Sequence, residues 1–431
     1  MNSAQSQTTI TPHSQQPFIT KTYPSEPALD GIIQKAATAQ KAWARVPVHE
    51  RVAIGRKFMD EFKKMSDEIP MELTLQMGRP ISQGAGEING FLGRADYLLS
   101  IAESSLADVP LTNTDKPGFK RYIKRAPLGV VLVIAPWNFP YLVSVNSVLP
   151  AIIAGNAVLL KPSPQTPLTA ERFALALTRA GVPEDVIQVV HLSSELTTSA
   201  IQHPKVDFVS FTGSVAGGRA VEQAAVAAKG FKGVALELGG KDPAYVRADA
   251  DLKYTVAELV DGDKAAAGLS AMQRIYVHES IYEPFVSQYA EIVKTYKLGD
   301  PTQAGTNLGP VVLVNVNHTM DVMMEETFGP VVGIQKVSGD EEAVKLMNDS
   351  PYGLTASVWT NASAHPESQE AFLGLVDELE TGTVFLNRCD FLDPALAWTG
   401  VKDSGRGVSL SKFGYDQLTR AKSVHMKIET A

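Results

Sequence analysis

An uncharged run of 35 residues, from Ala126 to Leu160, constrains the fold of this chain more than any other feature. A run of that length can cross a membrane as a helix. However, prolines at positions 136, 140 and 150 interrupt such a helix, and three asparagines in the run would need hydrogen-bond partners in lipid. We therefore predict that the run forms buried elements of a soluble protein core, and we expect no membrane partner.

Composition is typical of a soluble globular protein, because 44% of the 431 residues are hydrophobic and 20% are charged. This length allows two or three domains. The formal net charge of -8 disfavours a polyanionic partner, so no nucleic-acid binding is expected.

Cysteine usage and the N-terminal sequence bear on the compartment. The one cysteine, Cys389, excludes an intrachain disulfide and fits a reducing environment. The first residues are polar and lack an apolar signal segment, so the cytoplasm is the expected location. The eight histidines form no ligand-spaced cluster with Cys389, and no metal site is expected.

Apolar periodicity divides the chain into a helical N-terminal part and two α/β parts. Up to about Leu106 the apolar residues recur at helical spacing. From Gly129 short apolar runs alternate with helical stretches, which is typical of a parallel sheet covered on both faces by helices. The runs are GVVLVIA, AVLLK, IQVVHL, DFVSFTG and GVALELGG. A second pattern of this kind begins near Arg274, so the predicted fold class is α/β with two sheet domains.

Two helices of the first sheet domain are predicted to begin near the carboxyl ends of strands. One follows SPQTP, with Thr166 as N-cap and Pro167 at the first helical position, and the other follows FTGS. The N–H groups at such helix starts point towards the edge where open α/β sheets bind ligands. The sequence therefore predicts a site for an anionic ligand at this edge.

Seven motifs occur in an order that resembles the aldehyde dehydrogenase family over nearly the whole chain: PWNFP, KPSPQTP, FTGS, LELGGK, EETFGPV, LTASVWT and KDSGRG. The resemblance implies a Rossmann-like parallel-sheet cofactor domain, a second α/β catalytic domain and a small oligomerisation extension. It also implies that a small-molecule aldehyde is oxidised to a carboxylic acid with NAD or NADP. In that family a cysteine thiolate attacks the carbonyl, hydride passes to the cofactor, and water hydrolyses the thioester.

Two catalytic roles follow from the resemblance. Asn138 in PWNFP matches the amide that donates a hydrogen bond to the developing oxyanion, and Glu237 in LELGG matches the general base that activates water. Without the other motifs, Asn138 would be interpreted as a buried residue that caps a turn, and Glu237 as a salt-bridge partner.

Seven further residues match cofactor-binding positions of the family. Lys161 matches a residue that contacts the adenosine ribose, and Gly213 and Ser214 match the pyrophosphate site. Leu238 matches a backbone position that faces the nicotinamide amide, and Trp137 matches a residue that lies against the cofactor. Glu326 and Phe328 match the residues that hold the nicotinamide ribose and flank the ring. Simple core packing is the alternative for Phe328 and Trp137. Pro164 stands where many NAD-using members have a glutamate that binds the ribose hydroxyls and repels a 2′-phosphate, so NAD and NADP both stay open.

The family's nucleophile motif, Gly-Gln-x-Cys, has no counterpart here. Alignment of Gly268 with the family glycine places Ala271 at the nucleophile, and a shift by one residue would place Ser270 there. A methyl group cannot add to a carbonyl, and no histidine lies near Ser270 in sequence to act as its base. Cys389 fits a half-buried structural residue better than a substitute nucleophile.

The chain is also shorter than the family near residue 312, where LGPVV passes directly to LVNVNHTMDVMMEETFGPV. A parallel crossover needs about a dozen residues or more, so the second domain is predicted to be incomplete, with an exposed apolar surface or sheet edge. The predicted domains are 1–236 for the N-terminal helices and the cofactor domain, 237–410 for the catalytic domain, and 411–431 for a C-terminal oligomerisation tail. Residues 119–128 are predicted as a further oligomerisation strand.

Three interpretations stay open. The chain is an aldehyde dehydrogenase by descent with weak or absent turnover, or an inactive NAD(P)-binding protein that pairs with like or related subunits. Alternatively, it is a splice or gene-model variant of an active enzyme, because both departures are block changes between well-matched flanks. The residues do not identify the aldehyde.

Overall fold

The uncharged run folds into a strand, a helix and a second strand in this computed structural model. The structure describes residues 5–112, 114, 116–265, 272–307, 309, 311–389 and 391–430. The helices in this part of the chain are α1 (Glu26–Trp43), α2 (Val48–Lys63), α3 (Ile69–Met77), α4 (Gly84–Leu106), α5 (Pro140–Ala154), α6 (Pro167–Ala180), α7 (Ser194–Gln202), α8 (Val215–Val226), α9 (Leu252–Ala265), α10 (Tyr282–Val293), α11 (Asp321–Met324), α12 (Asp340–Asn348), α13 (Pro366–Glu378) and α14 (Ser411–Gln417).

The strands form three larger sheets and two small pairs. They are β1 (Ser6–Ile10), β2 (Pro17–Thr22), β3 (Val109–Pro110), β4 (Phe119–Pro127), β5 (Val130–Ile134), β6 (Ala157–Lys161), β7 (Ile187–Val189), β8 (Phe208–Thr212), β9 (Gly233–Glu237), β10 (Pro243–Val246), β11 (Arg274–His278), β12 (Val311–Val314), β13 (Val331–Val337), β14 (Tyr352–Gly353), β15 (Thr355–Trp359), β16 (Thr383–Leu386), β17 (Val401–Lys402), β18 (Gly405–Arg406) and β19 (Thr419–Lys427).

The first sheet has the strand order β18-β9-β8-β5-β6-β7, and only β18 runs antiparallel to its neighbour. Every residue of β5 is buried, because helices cover both faces of the sheet. Val131 and Val133 pack into the cluster that contains α4 and α5, while Leu132 and Ile134 pack on the opposite face with α1. The apolar run therefore belongs to a core covered on both sides. No helix among the described residues is both long and apolar enough to cross a membrane.

The N-terminal part departs from the helical pattern predicted for it. Residues 6–22 form the antiparallel pair of β1 and β2 before α1 begins. Thr9 of β1 donates from its hydroxyl to the carbonyl oxygen of Pro164 at 2.7 Å, so the pair is held against the first sheet domain. This long-range contact stabilises strands that helical spacing alone did not reveal.

The second sheet is wholly parallel, with the order β12-β13-β11-β10-β15-β16. Strand β12 is an edge strand, and three of its four residues are exposed. It spans residue 312, the position near which the sequence predicts a shortening. The incomplete second domain itself stays a prediction.

The third sheet is distinct from the two six-stranded sheets and has the order β19-β4-β3. Strands β4 and β19 pair antiparallel along nine residues each. These are the segments predicted to build oligomers. Strand β18, from the end of the predicted catalytic domain, pairs with β9 of the first sheet and brings the Ser409 region next to Glu237.

Candidate active site

A cleft of about 580 Å³ opens at the carboxyl ends of β5, β6, β8 and β9, and we call it the sheet-edge cleft. Its walls include nine residues singled out from the sequence: Trp137, Asn138, Lys161, Pro164, Gly213, Ser214, Leu238, Glu326 and Phe328. These residues come from segments that are up to 191 positions apart in sequence, from Trp137 to Phe328. The fold therefore collects the predicted cofactor residues and Asn138 around one space.

The start of α8 forms one wall of this cleft. The helix begins directly after FTGS, as predicted, and Ser214 is its N-cap, because the Ser214 hydroxyl accepts the backbone N–H of Gly217 at 3.2 Å. A side chain at Gly213 would meet the tip of the Phe211 ring at 2.7 Å, so it would fit only if the ring moved. The helix start exposes its N–H groups and the positive end of its dipole to the cleft.

Lys161, the last residue of β6, supplies a positive charge in the cleft. Its ammonium group donates to the carbonyl oxygen of Pro162 at 3.3 Å. Burial lowers the pKa of Lys161 to about 8. Thr166 is the N-cap residue of α6 and Pro167 the first helical residue, as predicted, but the Thr166 side chain makes no capping hydrogen bond in the described structure.

Glu326, Phe328 and Trp137 form the other end of the cleft. The Glu326 carboxylate accepts the backbone N–H of Gly240 at 3.2 Å, and burial raises the pKa of Glu326. The Phe328 and Trp137 ring centroids are 5.3 Å apart. Phe328 is 40% exposed and has a φ of 43°, a strained value for a non-glycine residue. Simple core packing therefore does not account for Phe328.

A second cavity of about 540 Å³, which we call the funnel, lies beside the cleft. Most of its wall is apolar, with Glu237, Arg94 and Asn146 as the polar side chains among the described lining residues. The lining residues are Gly86, Gly90, Gly93, Arg94, Phe139, Leu142, Val143, Asn146, Glu237, Phe391, Leu392, Pro394 and Trp398. Such a cavity suits a small organic molecule whose reactive group meets a few polar atoms.

Glu237 ends β9 at the funnel, and its carboxylate is held by two hydroxyl groups. Ser409 donates to one carboxylate oxygen at 2.7 Å, and Thr212 donates to the other at 3.3 Å. Burial raises the pKa of Glu237, while the two hydroxyls and the nearby Arg94 charge lower it. A raised pKa makes this carboxylate a stronger proton acceptor than an ordinary exposed one.

The segment from Ile134 to Val143 separates the cleft from the funnel. Residues 134–138 line the cleft, and Phe139, Leu142 and Val143 line the funnel. Asn138 is 2% exposed and lies at the boundary. The arrangement places an amide side chain and a carboxylate next to two adjoining cavities, and these groups are chemically suited to a carbonyl compound.

Three contributors to this site were missed in the sequence: Ser409, which donates to Glu237, and the buried pair of Arg79 and Glu87 behind Asn138. Their sequence separations from the residues they contact are 172 for Ser409 and 59 for Arg79. No local pattern signals such contacts. Charged residues are usually exposed, and only the fold shows that Arg79 and Glu87 are buried.

The predicted nucleophile position, Ala271, and the neighbouring Ser270 lie outside the described residues. Cys389 is half-buried, as predicted, and its sulfur lies 3.8 Å from the carbonyl oxygen of Glu258 in α9. It is not among the described residues that line the cleft or the funnel. Its position fits packing against α9.

Comparison with known proteins identifies relatives over most of the chain. The aldehyde dehydrogenase family model matches residues 1–312 and 303–424. A succinate-semialdehyde dehydrogenase (NADP(+)) of Mycobacterium avium is 31% identical over 407 residues, which cover 85% of this chain and 84% of the relative. A phenylacetaldehyde dehydrogenase of Pseudomonas fluorescens is 32% identical over 443 residues, which cover 90% of this chain and 86% of the relative.

Solved structures share the fold over 99% of this chain. NADP-dependent glyceraldehyde-3-phosphate dehydrogenase from Bacillus halodurans, complexed with NADP, has a TM-score of 0.90 at 28% identity and is covered over 96% of its length. An NAD-dependent aldehyde dehydrogenase from Sinorhizobium meliloti has a TM-score of 0.92 at 28% identity, with 92% covered. A betaine aldehyde dehydrogenase from Staphylococcus aureus, in complex with NAD+, has a TM-score of 0.91 at 25% identity, with 93% covered.

These comparisons confirm the α/β fold class and the resemblance noted in the sequence. Two of these matched structures hold NADP or NAD+, which agrees with the cofactors that the motifs implied. The family model matches two ranges that together cover nearly the whole chain, and the curated relatives are 31% and 32% identical to it. This chain therefore belongs to the aldehyde dehydrogenase family.

Proposed function

We propose that the sheet-edge cleft binds NAD or NADP, that the funnel binds an aldehyde, and that this chain's own turnover is weak or absent. The observation that carries the proposal is the shared wall between the two cavities, where Asn138 lies on the cleft side and Phe139 on the funnel side. A carbonyl carbon at this wall would face the cofactor from one side and Glu237 from the other. The aldehyde itself is not identified by the described residues.

The cleft fits a dinucleotide. The start of α8 supplies N–H donors for phosphate oxygens, Lys161 supplies a positive charge, and the Glu326 carboxylate supplies an acceptor for ribose hydroxyls. Bound NAD(P)+ would contribute a hydride acceptor. The side chain of Trp137 would pack against it and help to exclude water.

Asn138 and Glu237 are proposed to act on the substrate. The Asn138 amide would donate a hydrogen bond to the carbonyl oxygen as negative charge develops there. Glu237 would take a proton from water, or from the hydrate of the aldehyde, since its raised pKa suits proton transfer near neutral pH. Both groups are held by the protein before substrate binds, which lowers the cost of reorganisation.

The covalent step of the family reaction needs a cysteine thiolate, and this chain has none at the aligned position. The chain has one cysteine, and Cys389 is placed against α9. The sequence has alanine at the aligned nucleophile position. Without a thiolate, hydride transfer would have to start from the aldehyde hydrate, with Glu237 as base. Loss of a covalent nucleophile elsewhere leaves about 10³ to 10⁴ of rate enhancement over water.

Restoring the sulfur tests this proposal. We expect Ala271→Cys to raise NAD(P)H formation from a panel of aldehydes at least 100-fold over the unchanged chain, because a thiolate replaces an inert methyl group. Absorbance at the NAD(P)H band measures the rate, and Ala271→Ser is the matched control that adds a hydroxyl without a thiolate. Rapid turnover by the unchanged chain would contradict the proposal, as would a covalent acyl adduct trapped on it.

A second candidate function is that of an inactive NAD(P)-binding subunit. The nine-residue pairing of β4 with β19 favours it, because this sheet is separate from the two cavities and its assembly does not depend on their chemistry. We propose a homo-oligomer or a hetero-oligomer with related subunits, in a reducing compartment such as the cytoplasm. Nucleotide binding without turnover, even in Ala271→Cys, together with co-purification of an active relative, would support this function.

The third interpretation, a splice or gene-model variant of an active enzyme, concerns the transcript. Its support is that the family model matches in two separate ranges, which overlap at residues 303–312 beside the predicted shortening. Sequencing the transcript tests it. A transcript that encodes a Gly-Gln-x-Cys stretch would assign full aldehyde dehydrogenase activity to the natural product of the gene.

A further inference from the structure

A buried ion pair between Arg79 and Glu87 lies directly behind the segment that carries Asn138. Their side chains are 5% and 0% exposed. Arg79 follows the left-handed Gly78 that ends α3, and Glu87 lies in the first turn of α4. The pair therefore joins two helices of the N-terminal part to the wall between the cleft and the funnel.

Glu87 caps α5 from outside that helix. The N-cap residue of α5, Phe139, provides no side-chain cap, so the first N–H groups need another acceptor. One oxygen of Glu87 accepts the backbone N–H groups of Tyr141 at 2.8 Å and Leu142 at 3.4 Å. A carboxylate at this position also interacts favourably with the helix dipole.

Arg79 holds the residues immediately before that helix. Its guanidinium donates one hydrogen bond to the second oxygen of Glu87 and another to the backbone carbonyl oxygen of Asn138. The same guanidinium lies over the Phe139 ring, 4.3 Å from its centroid. The peptide group that follows Asn138, and with it the direction of the Asn138 side chain, is therefore attached to a rigid pair.

Stability alone is a weak reason for this arrangement. Two charges pay a large desolvation cost on burial, and a well-packed apolar pair of similar volume is often equally stable or more stable. An ion pair that also hydrogen-bonds three backbone groups fixes the orientation of those groups, whereas apolar contacts do not. Directional control matters at an oxyanion donor, since a displacement of about 1 Å can cost about 100-fold in rate.

We propose that Arg79 and Glu87 are positioning residues that aim the Asn138 amide at the carbonyl oxygen of the substrate. This inference rests on the proposed function of Asn138. It assigns no contact with substrate to Arg79 or Glu87. Both act through the backbone from Asn138 to Leu142.

The test uses the intact chain and a chromophoric aldehyde, 4-(dimethylamino)cinnamaldehyde, whose absorption moves to longer wavelength when a donor polarises its carbonyl oxygen. No turnover is needed for this signal. We expect the bound probe to be red-shifted in the unchanged chain. Asn138→Ala should abolish the shift, and Arg79→Lys and Glu87→Gln should each remove most of it while the probe still binds.

Arg51→Lys is the matched control. Arg51 is also buried and donates to the carbonyl oxygen of Ile153 at 2.7 Å, at the opposite end of α5. If burial of an arginine against α5 mattered only for folding, Arg51→Lys and Arg79→Lys would lower the unfolding temperature alike and leave the red shift unchanged. A shift lost in the Arg79 and Glu87 variants but retained in Arg51→Lys supports the proposal.

The remaining outcomes separate the two proposals. A full red shift in Arg79→Lys and Glu87→Gln overturns the positioning role and leaves the proposed function standing. A probe that fails to bind the unchanged chain, or whose shift survives Asn138→Ala, overturns the proposed carbonyl site and the positioning role with it. If neither Arg79→Lys nor Glu87→Gln folds, the pair is a determinant of folding, and the positioning proposal is also overturned.

Discussion

At Glu237, burial and hydrogen bonding act in opposite directions on one carboxylate. Burial raises its pKa, and donation from Ser409 and Thr212 stabilises the charged form. Burial also shifts the pKa values of two other charged residues. Lys161 has a lowered pKa and Asp242 a raised one, in both cases because burial disfavours the charged form.

Lys161 gives a prediction for the cofactor. Its pKa of about 8 means that its charge is present below pH 8 and is lost as the pH rises above that value. If Lys161 attracts the 2′-phosphate of NADP+, the affinity for NADP+ falls between pH 7 and pH 9, and Lys161→Met lowers it about tenfold at pH 7. Titration of the intact chain with each nucleotide by calorimetry measures this effect. Lys161→Arg is the control that keeps its charge through pH 9, and equal pH dependence for NAD+ and NADP+ would argue against the assignment.

Asp242 gives a prediction for stability. It is 2% exposed, and burial raises its pKa from the ordinary 3.8 to about 7. Between these values the folded protein keeps a proton that the unfolded chain releases, so this group makes stability fall as the pH rises from about 4 to 7. Asp242→Asn removes this loss and keeps the acceptor for the backbone N–H of Thr355. We expect the variant to be more stable than the unchanged chain at pH 8, by up to about 4 kcal/mol, and nearly equal at pH 4.

Chemical denaturation at pH 4, 6 and 8 checks this prediction, with Asp377→Asn as a control at an exposed aspartate of α13. An Asp242→Asn variant that loses stability equally at every pH would show that the carboxylate is charged in the folded state.

Among the elements, α4 has the largest influence on the funnel. Its first turn supplies Glu87, and Arg94 donates to the carbonyl oxygen of Leu142 at 2.7 Å. Gly86, Gly90 and Gly93 lie on one face at helical spacing and line the funnel. A side chain at Gly90 would meet Leu142 at 2.9 Å, whereas one at Gly93 would meet nothing within 4 Å. The glycine face therefore widens the funnel.

We predict that Gly93→Leu narrows the funnel without harming the fold. Binding of a bulky aldehyde such as 4-(dimethylamino)cinnamaldehyde should weaken about tenfold, while a short aliphatic aldehyde competes as before, because only the long molecule reaches the added side chain. The unfolding free energy should rise slightly, since leucine favours a helix over glycine by up to about 1 kcal/mol. Gly374→Leu on α13, another glycine with open space around it, is the control. Equal binding of both aldehydes to the Gly93 variant would refute the prediction.

At the scale of the whole molecule, the two sheet domains differ in how their edges are protected. In the first sheet β18 covers the edge at β9. In the second sheet β12 leaves an edge with the sequence VVLV, and Val311 is 51% exposed. An uncharged, β-branched edge strand invites pairing with other chains. None of the described residues that line the cleft or the funnel belongs to the third sheet, so the proposed assembly does not involve either cavity wall.

We predict that Val311→Lys slows aggregation, because a charge on an edge strand opposes pairing with a second copy. Light scattering during incubation at raised temperature measures the rate. The unfolding free energy should change by about 0.5 kcal/mol or less, since the side chain is exposed. Leu373→Lys, at a 62% exposed position on α13, is the control. If both lysine variants slow aggregation equally, net charge and not the β12 edge is responsible.

Some of this fold could be predicted because the signals are local. The uncharged run indicated β5 and β6, and the FTGS motif indicated the start of α8. The pair of β1 and β2 was missed, because a contact such as that from Thr9 to Pro164 stabilises it across 155 positions. The gathering of Lys161, Ser214 and Glu326 around one cleft was expected only through resemblance to a family, since no local rule relates residues so far apart.

The sequence by itself determined the α/β class, the buried character of residues 126–160 and the presence of one cysteine, because periodicity, composition and the residue count carry that information. The tertiary structure alone decided that Arg79 and Glu87 meet behind Asn138, that Ser409 donates to Glu237, and that glycines of α4 widen the funnel. The physical reason is the sequence distance over which each interaction acts. Hydrophobic spacing acts within one element, whereas burial and the hydrogen bonds of a charged side chain depend on which distant elements the fold brings beside it.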